Sequence, residues 1–98
     1  MSYSRGKAYR RILVWKKTGG RCAHCGKKAS SKNQTIDHFI PKSEFGTYDL
    51  RNLMPLCYAC NHDRGSRVID PYKYYSFAPK SIINDCVAYK KDRSGQIY

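Results

Sequence analysis

The stretch Thr35-Ile36-Asp37-His38 places a carboxylate and an imidazole side by side after an apolar residue. We interpret Gln34 to His38 as a short strand. Successive side chains of a strand point to opposite faces, so Asp37 and His38 could act on different partners without competing. The pair marks the position where we expect the chemistry of the chain.

A second strand is predicted from Leu53 to Cys57. It contains Pro55, which restricts the strand to the edge of a sheet because proline has no backbone N–H to donate. The residues between the two strands, 39–52, are expected to form a long loop.

Two cysteine pairs with C-x2-C spacing lie on either side of the first strand. They are Cys22, Cys25, Cys57 and Cys60. Two such turns can hold one tetrahedral zinc ion through four thiolates. The alternative, two disulfide bonds, is disfavoured in a cytosolic compartment. We therefore predict a structural zinc site that excludes His24, inside the first turn, and the fifth cysteine, Cys86, which we expect to be buried.

The order of these elements resembles the HNH endonuclease family, the ββα-metal nucleases. The resemblance runs from Cys22 to Arg67 and includes the Asp-His pair, Asn52, and Cys57-Tyr58-Ala59-Cys60-Asn61 followed by a basic residue, glycine and arginine. Related sequences usually carry lysine where this one has Arg64. The resemblance implies a small α+β fold, with a ββα-metal core and a two-CxxC structural zinc site flanked by N- and C-terminal helices.

The resemblance also implies a metal-dependent hydrolysis of phosphodiester bonds. His38 would be the general base, a role that suits an imidazole that is substantially neutral near pH 7. Asp37 and Asn61 would hold a catalytic divalent ion, and their oxygen ligands suit Mg²⁺ or Mn²⁺. Asn52 would orient the catalytic loop through hydrogen bonds to its backbone. His62 is the competing metal ligand by a shift of one residue, and the register of the motif favours Asn61.

Positive charge is concentrated at the start of the chain. The formal net charge is +12, and residues 1–32 hold ten of the 19 basic residues and no acidic one. Zinc bound by four thiolates would lower the net charge only to about +10. This excess predicts nucleic acid as the partner, and we expect double-stranded DNA. The candidate phosphate contacts are Arg10, Arg11, Lys16, Lys17, Arg64 and Arg67.

We expect a single nuclease domain in three parts. These are a basic helical leader at 1–20, the zinc-framed core at 21–67, and an aromatic segment with a C-terminal helix at 68–98. So small a domain buries little apolar surface, and a structural metal would add stability. No apolar run approaches the roughly 20 residues of a membrane span. No apolar signal-peptide core follows Met1, so we expect a cytoplasmic protein with no membrane contact.

Hydrophobic periodicity and the breaker residues predict three helices. They span Ala8–Lys17, Tyr58–Gly65 and Ser81–Lys91. In the first, which ends at Gly19-Gly20, we expect Ile12, Leu13 and Trp15 in the core. The aromatic residues 71–79, bounded by prolines, are expected to be irregular.

Two other functions fit parts of the pattern. A zinc-stabilised nucleic-acid-binding module without activity would explain the charge and the cysteines. It would not explain why Asp37, His38 and Asn61 occur together. An accessory nuclease of a larger assembly, like the small HNH proteins encoded near phage packaging machinery, is the other alternative. Such a chain could bind an assembly partner or form a homodimer.

Overall fold

A two-stranded antiparallel sheet lies among helices in the computed structural model, which describes residues 6–94. The elements are α1 Gly6–Lys16, β1 Thr35–His38, β2 Leu53–Leu56, α2 Tyr58–Arg64, α3 Pro71–Tyr74 and α4 Lys80–Ser94. Residues 1–5 of the predicted leader and residues 95–98 of the C-terminal part lie outside this range. The α+β class and the ββα order of the core are confirmed.

The register of the sheet pairs Asp37 with Met54 and Ile36 with Pro55. The carbonyl of Pro55 accepts a 2.8 Å hydrogen bond from the N–H of Ala23, outside the ladder. Because the N–H and C=O positions of a strand residue point to the same side, the N–H that proline lacks falls on this outer edge. The first cysteine turn therefore covers the edge of β2 without disturbing its pairing with β1.

The connection between the strands is more ordered than the predicted long loop. It contains two 3-10 turns, Lys42–Glu44 and Leu50–Asn52. Asp49 caps the second turn by accepting a hydrogen bond from the N–H of Arg51. This local side-chain bond gives the backbone a fixed turn that periodicity alone does not indicate.

Helix α1 packs on β2 with a different face from the predicted one. Val14 is fully buried, whereas Ile12 is 40% exposed. Polar side chains fix this rotation of the helix. Lys17 Nζ donates to the carbonyls of Leu50 and, at 2.7 Å, Leu53. The prediction that Lys17 projects outward to meet phosphates is therefore wrong, because backbone acceptors hold its ammonium group.

The aromatic residues 71–79 are not wholly irregular, because they include the one-turn helix α3. Pro71 stands at the first helical position, where its missing N–H costs no hydrogen bond. Asp70 caps the turn by accepting from the N–H of Tyr72 at 3.0 Å. Tyr75, directly after the turn, is completely buried.

Helix α4 begins one residue before the predicted start and continues to Ser94. No proline or glycine follows Lys91 before that point, so the sequence offers no earlier stop. Cys86 is fully buried on this helix, as expected. The core cluster consists of Cys22, Ala23, Phe39, Met54, Leu56, Tyr75, Ile83 and Cys86. Within residues 6–94, the helices are too short or too polar to cross a bilayer.

Candidate active site and zinc centre

The four cysteine sulfurs form one cluster in which all lie within 4.8 Å of one another. They belong to Cys22, Cys25, Cys57 and Cys60. Zinc bonded to four sulfurs at about 2.3 Å sets neighbouring sulfurs about 3.8 Å apart. The sulfurs of Cys25 and Cys57 are 3.9 Å apart, and the cysteines are free thiols rather than disulfides. The dimensions of the cluster therefore fit one tetrahedral zinc ion.

Local backbone geometry builds the first half of this cluster. Gly26 adopts φ +79, and a Cβ added there would lie 2.7 Å from the ring of Phe77. Only glycine accommodates both the positive φ and the ring. The turn closes with a 2.9 Å hydrogen bond from the N–H of Gly26 to the carbonyl of Cys22.

His24 lies in this turn and is engaged elsewhere. Its Nδ1 is 2.7 Å from the carbonyl oxygen of Tyr74, and its ring stacks on that of Tyr74 at 3.9 Å. A carbonyl can only accept, so Nδ1 carries the proton in this hydrogen bond. These contacts support leaving His24 out of the zinc ligands.

Asp37 occupies a buried position and receives two strong hydrogen bonds on one oxygen. Its Oδ2 accepts from the hydroxyl of Tyr75 at 2.6 Å and from Nη1 of Arg64 at 2.5 Å. Burial raises the pKa of Asp37, and the guanidinium of Arg64 opposes the rise. The other carboxylate oxygen, Oδ1, is the one left to act as a ligand.

Arg64 is fully buried, so the prediction that it contacts phosphates is wrong. Besides Asp37, it donates to the carbonyls of His38 at 3.0 Å, Phe39 at 2.8 Å and Arg67 at 3.0 Å. Protein acceptors thus surround the guanidinium. Its role in this structure is to tie the end of α2 to the end of β1.

Asn61 lies on α2 beside β1, with its amide orientation set by Thr35. The hydroxyl of Thr35 donates to the carbonyl of Leu56 at 2.7 Å. Because its one proton is used there, the hydroxyl can only accept from Asn61, whose Nδ2 lies 2.7 Å away. This arrangement leaves the amide oxygen of Asn61 to bind a cation.

Asp37, His38 and Asn61 line one cavity of about 280 Å³, together with Lys42 and Ser66. A carboxylate oxygen and an amide oxygen form a donor set that suits a hard cation such as Mg²⁺ or Mn²⁺. The residues present therefore fit a divalent ion held between β1 and α2.

His38 carries an unpaired nitrogen into this environment. Its Nε2 is buried and has no hydrogen-bond partner within the described part of the chain. Burial lowers the pKa of His38, and the positive charges of Lys42 and Arg10 lower it further. The ring also packs edge-on against Tyr48, with centroids 4.8 Å apart. A neutral, oriented imidazole with a free nitrogen is able to accept a proton.

Asn52 is fully buried and holds the loop that follows β1. Its Oδ1 accepts from the N–H of Ile40 at 2.7 Å. Its Nδ2 donates to the carbonyls of Ile40 at 3.2 Å and Thr47 at 3.0 Å. These bonds have the form expected of a residue that orients the loop beside His38.

The remaining predicted phosphate contacts differ in their surroundings. Arg67 is exposed and pairs weakly with Asp63 at 3.8 Å. Lys16 is exposed on α1. Arg10 and Arg11 line a second cavity beside His38, although Arg11 also donates to the carbonyls of residues 32 and 34.

His62, the competing ligand, is exposed and stacks on Tyr58 with centroids 5.8 Å apart. It does not line the cavity shared by Asp37 and Asn61. Sequence reasoning missed Tyr75 and Thr35, whose hydroxyls orient those two side chains. The only signal for Tyr75 was its place in the aromatic segment expected to cover the domain.

Comparisons with known proteins agree with this geometry. The family model for HNH endonuclease matches residues 22–67. Over 47 residues, the chain is 34% identical to the CRISPR-associated endonuclease Cas9 of Corynebacterium diphtheriae, a match that covers 47% of this chain and 4% of that protein. Over 65 residues, it is 29% identical to the Septu protein PtuB of Bacillus thuringiensis, covering 62% of this chain and 25% of PtuB. The chain thus spans only a small part of either relative. The motif, the fold and the family match agree that residues 22–67 form an HNH endonuclease domain.

Proposed function

We propose that the chain is a metal-dependent endonuclease that hydrolyses phosphodiester bonds of DNA. The observation that carries the proposal is the unpaired, buried Nε2 of His38 on a residue that shares a cavity with Asp37 and Asn61. A base and two hard oxygen donors are the groups that this hydrolysis requires. The proposal depends on the three side chains acting together.

In the proposed reaction, His38 accepts a proton from a water molecule as the water oxygen attacks phosphorus. The bond from phosphorus to the leaving oxygen then breaks, and that oxygen takes a proton from solvent. Asp37 and Asn61 would hold the divalent ion, which supplies stabilisation of the negative charge on the phosphoryl and leaving oxygens. Asn52 keeps the following loop in place through its bonds to Ile40 and Thr47.

The zinc site has a separate, structural role in this proposal. Four sulfur ligands complete the coordination of a zinc ion and leave no position for water or substrate. The site joins the turn at Cys22 to the start of α2 at Cys57, so it fixes the helix that carries Asn61.

The proposed substrate follows from charge. The chain carries a formal net charge of +12, and Arg10, Lys16 and Arg67 remain as candidate phosphate contacts. A polyanion is the partner that such an excess favours. Double-stranded DNA as the form of nucleic acid, a cytoplasmic location, and a homodimer or an assembly partner stay predictions.

A plasmid assay tests the proposed function. Zinc-loaded protein is incubated with supercoiled plasmid in Mg²⁺, in Mn²⁺ and without either ion, beside labelled RNA of equal mass. We expect relaxed or linear plasmid only with an added divalent ion, and little RNA cleavage. A folded, zinc-loaded chain that binds the plasmid and leaves it supercoiled under all conditions would instead be a non-catalytic binding module.

A further inference from the structure

A second cavity opens on the other side of His38. It measures about 250 Å³, and we name it the α1 cleft. The residues that define it are Lys7, Arg10, Arg11, His38, Lys42 and Tyr48. Four of these side chains are cationic, and within the described part of the chain no acidic side chain lines the cleft. Like charges gathered without a counter-charge favour the binding of an anion there.

The α1 cleft is continuous with the candidate active site. Ile36, His38 and Lys42 line both cavities. A chain molecule that reached from one cavity to the other would pass His38 and Lys42. A polymer of linked anions therefore fits the pair of cavities better than a single small anion.

Tyr48 organises the cations of the cleft. The guanidinium of Arg10 lies 4.9 Å from the centre of its ring, and the ammonium of Lys42 lies 4.8 Å from it. Such contacts hold cations in place without neutralising them. Because these cations and the edge of His38 pack on the ring, Tyr48 is poorly placed to stack on a nucleic-acid base.

We propose that the α1 cleft binds the phosphodiester adjacent to the one being cut, with Lys7, Arg10 and Lys42 as its cations. This inference rests on the proposed function for the position of the cut, and on the cleft itself for binding. It gives α1 a role in placing the strand across His38. Lys17, on the same helix, would have no part in it because its ammonium group is bound to backbone carbonyls.

The salt dependence of DNA binding tests the inference. Fluorescence anisotropy with a labelled duplex, measured over a range of KCl without Mg²⁺ or Mn²⁺, gives the slope of log K against log salt. Each lost phosphate contact to duplex DNA lowers the slope by about 0.9, so Lys7→Gln/Arg10→Gln should lower it by about 1.8. A matched control, Lys80→Gln/Lys91→Gln, removes the same charge from exposed positions on α4. Its slope should stay near that of the parent.

Equal slopes for the parent and the cleft variant would overturn the inference, as would an equal loss in the control. The plasmid assay separates this result from the proposed function. A parent that cuts no plasmid while the cleft variant alone loses slope would remove the nuclease function and retain the cleft as a phosphate-binding site. A parent that cuts plasmid while the cleft variant keeps its slope would retain the nuclease and remove the cleft.

Discussion

The hydroxyl of Tyr75 donates a 2.6 Å hydrogen bond to Oδ2 of Asp37, a residue 38 positions earlier in the chain. Arg64 donates to the same oxygen. Two donors on one oxygen hold the carboxylate in a single orientation and leave Oδ1 for a cation. Partners of this kind are as important to metal sites as the ligands themselves.

Replacing Tyr75 by phenylalanine should weaken binding of the catalytic ion by about 10- to 100-fold, because Asp37 loses one of the two donors that orient it. Titration of Mn²⁺ into zinc-loaded protein, followed by electron paramagnetic resonance, measures that affinity without substrate. Tyr74→Phe is the matched control, since its hydroxyl donates to the carbonyl of Cys60 outside the cavity. Equal Mn²⁺ affinity in the parent and Tyr75→Phe would show that the hydroxyl does not position Asp37.

Replacing Arg64 by methionine should destabilise the fold by about 3–5 kcal/mol, because it leaves the buried carboxylate of Asp37 without its charged partner. Urea unfolding of the zinc-loaded protein measures the change in the free energy of unfolding. Arg67→Met removes an arginine that is 62% exposed and should change stability by no more than about 0.5 kcal/mol. Similar losses in the two variants would contradict the buried role of Arg64.

The choice between neighbouring metal ligands can be tested by comparing Asn61→Ala with His62→Ala. The first variant should need far more Mg²⁺ or Mn²⁺ for plasmid cleavage, because it loses an oxygen donor in the cavity. The second should resemble the parent, since His62 stacks on Tyr58 outside that cavity. A large change in metal requirement for His62→Ala alone would reverse the assignment.

Removing one zinc ligand should unfold the domain. In Cys57→Ser, three thiolates remain, and the loss of zinc would remove the link between the first turn and α2. Near-ultraviolet circular dichroism and zinc analysis measure folding and metal content together. Cys86→Ala is the control, because Cys86 is buried outside the cluster and should leave one zinc per chain. A well-folded, zinc-free Cys57→Ser protein would show that zinc does not support the fold.

The elements that the sequence predicts well are those whose signals are local. The second cysteine pair runs directly into α2, and Gly65, at φ +58, ends that helix as expected. The positions of β1 and β2 differ from prediction by a single residue at one end. Asp37, His38 and Asn61 meet in one cavity because the motif places them on adjoining elements.

The features that the sequence did not reveal depend on contacts between distant residues. Arg64 is 27 positions from Asp37, and its burial depends on how α2 packs against β1. An arginine followed by glycine is otherwise typical of an exposed helix end. Likewise, the carbonyls of residues 50 and 53 that bind Lys17 come from another part of the chain. Periodicity within α1 contains no information about those acceptors.

Cleavage by His38→Ala tests the central role of His38 as general base most directly. Removal of a general base typically lowers the rate by about 10²- to 10⁴-fold, so we expect that loss at saturating Mg²⁺ or Mn²⁺. Zinc content, DNA affinity and Mn²⁺ affinity should remain close to those of the parent, because His38 supplies none of the proposed ligands. If His38→Ala cut plasmid as fast as the parent, His38 would not be the base, even in an active nuclease.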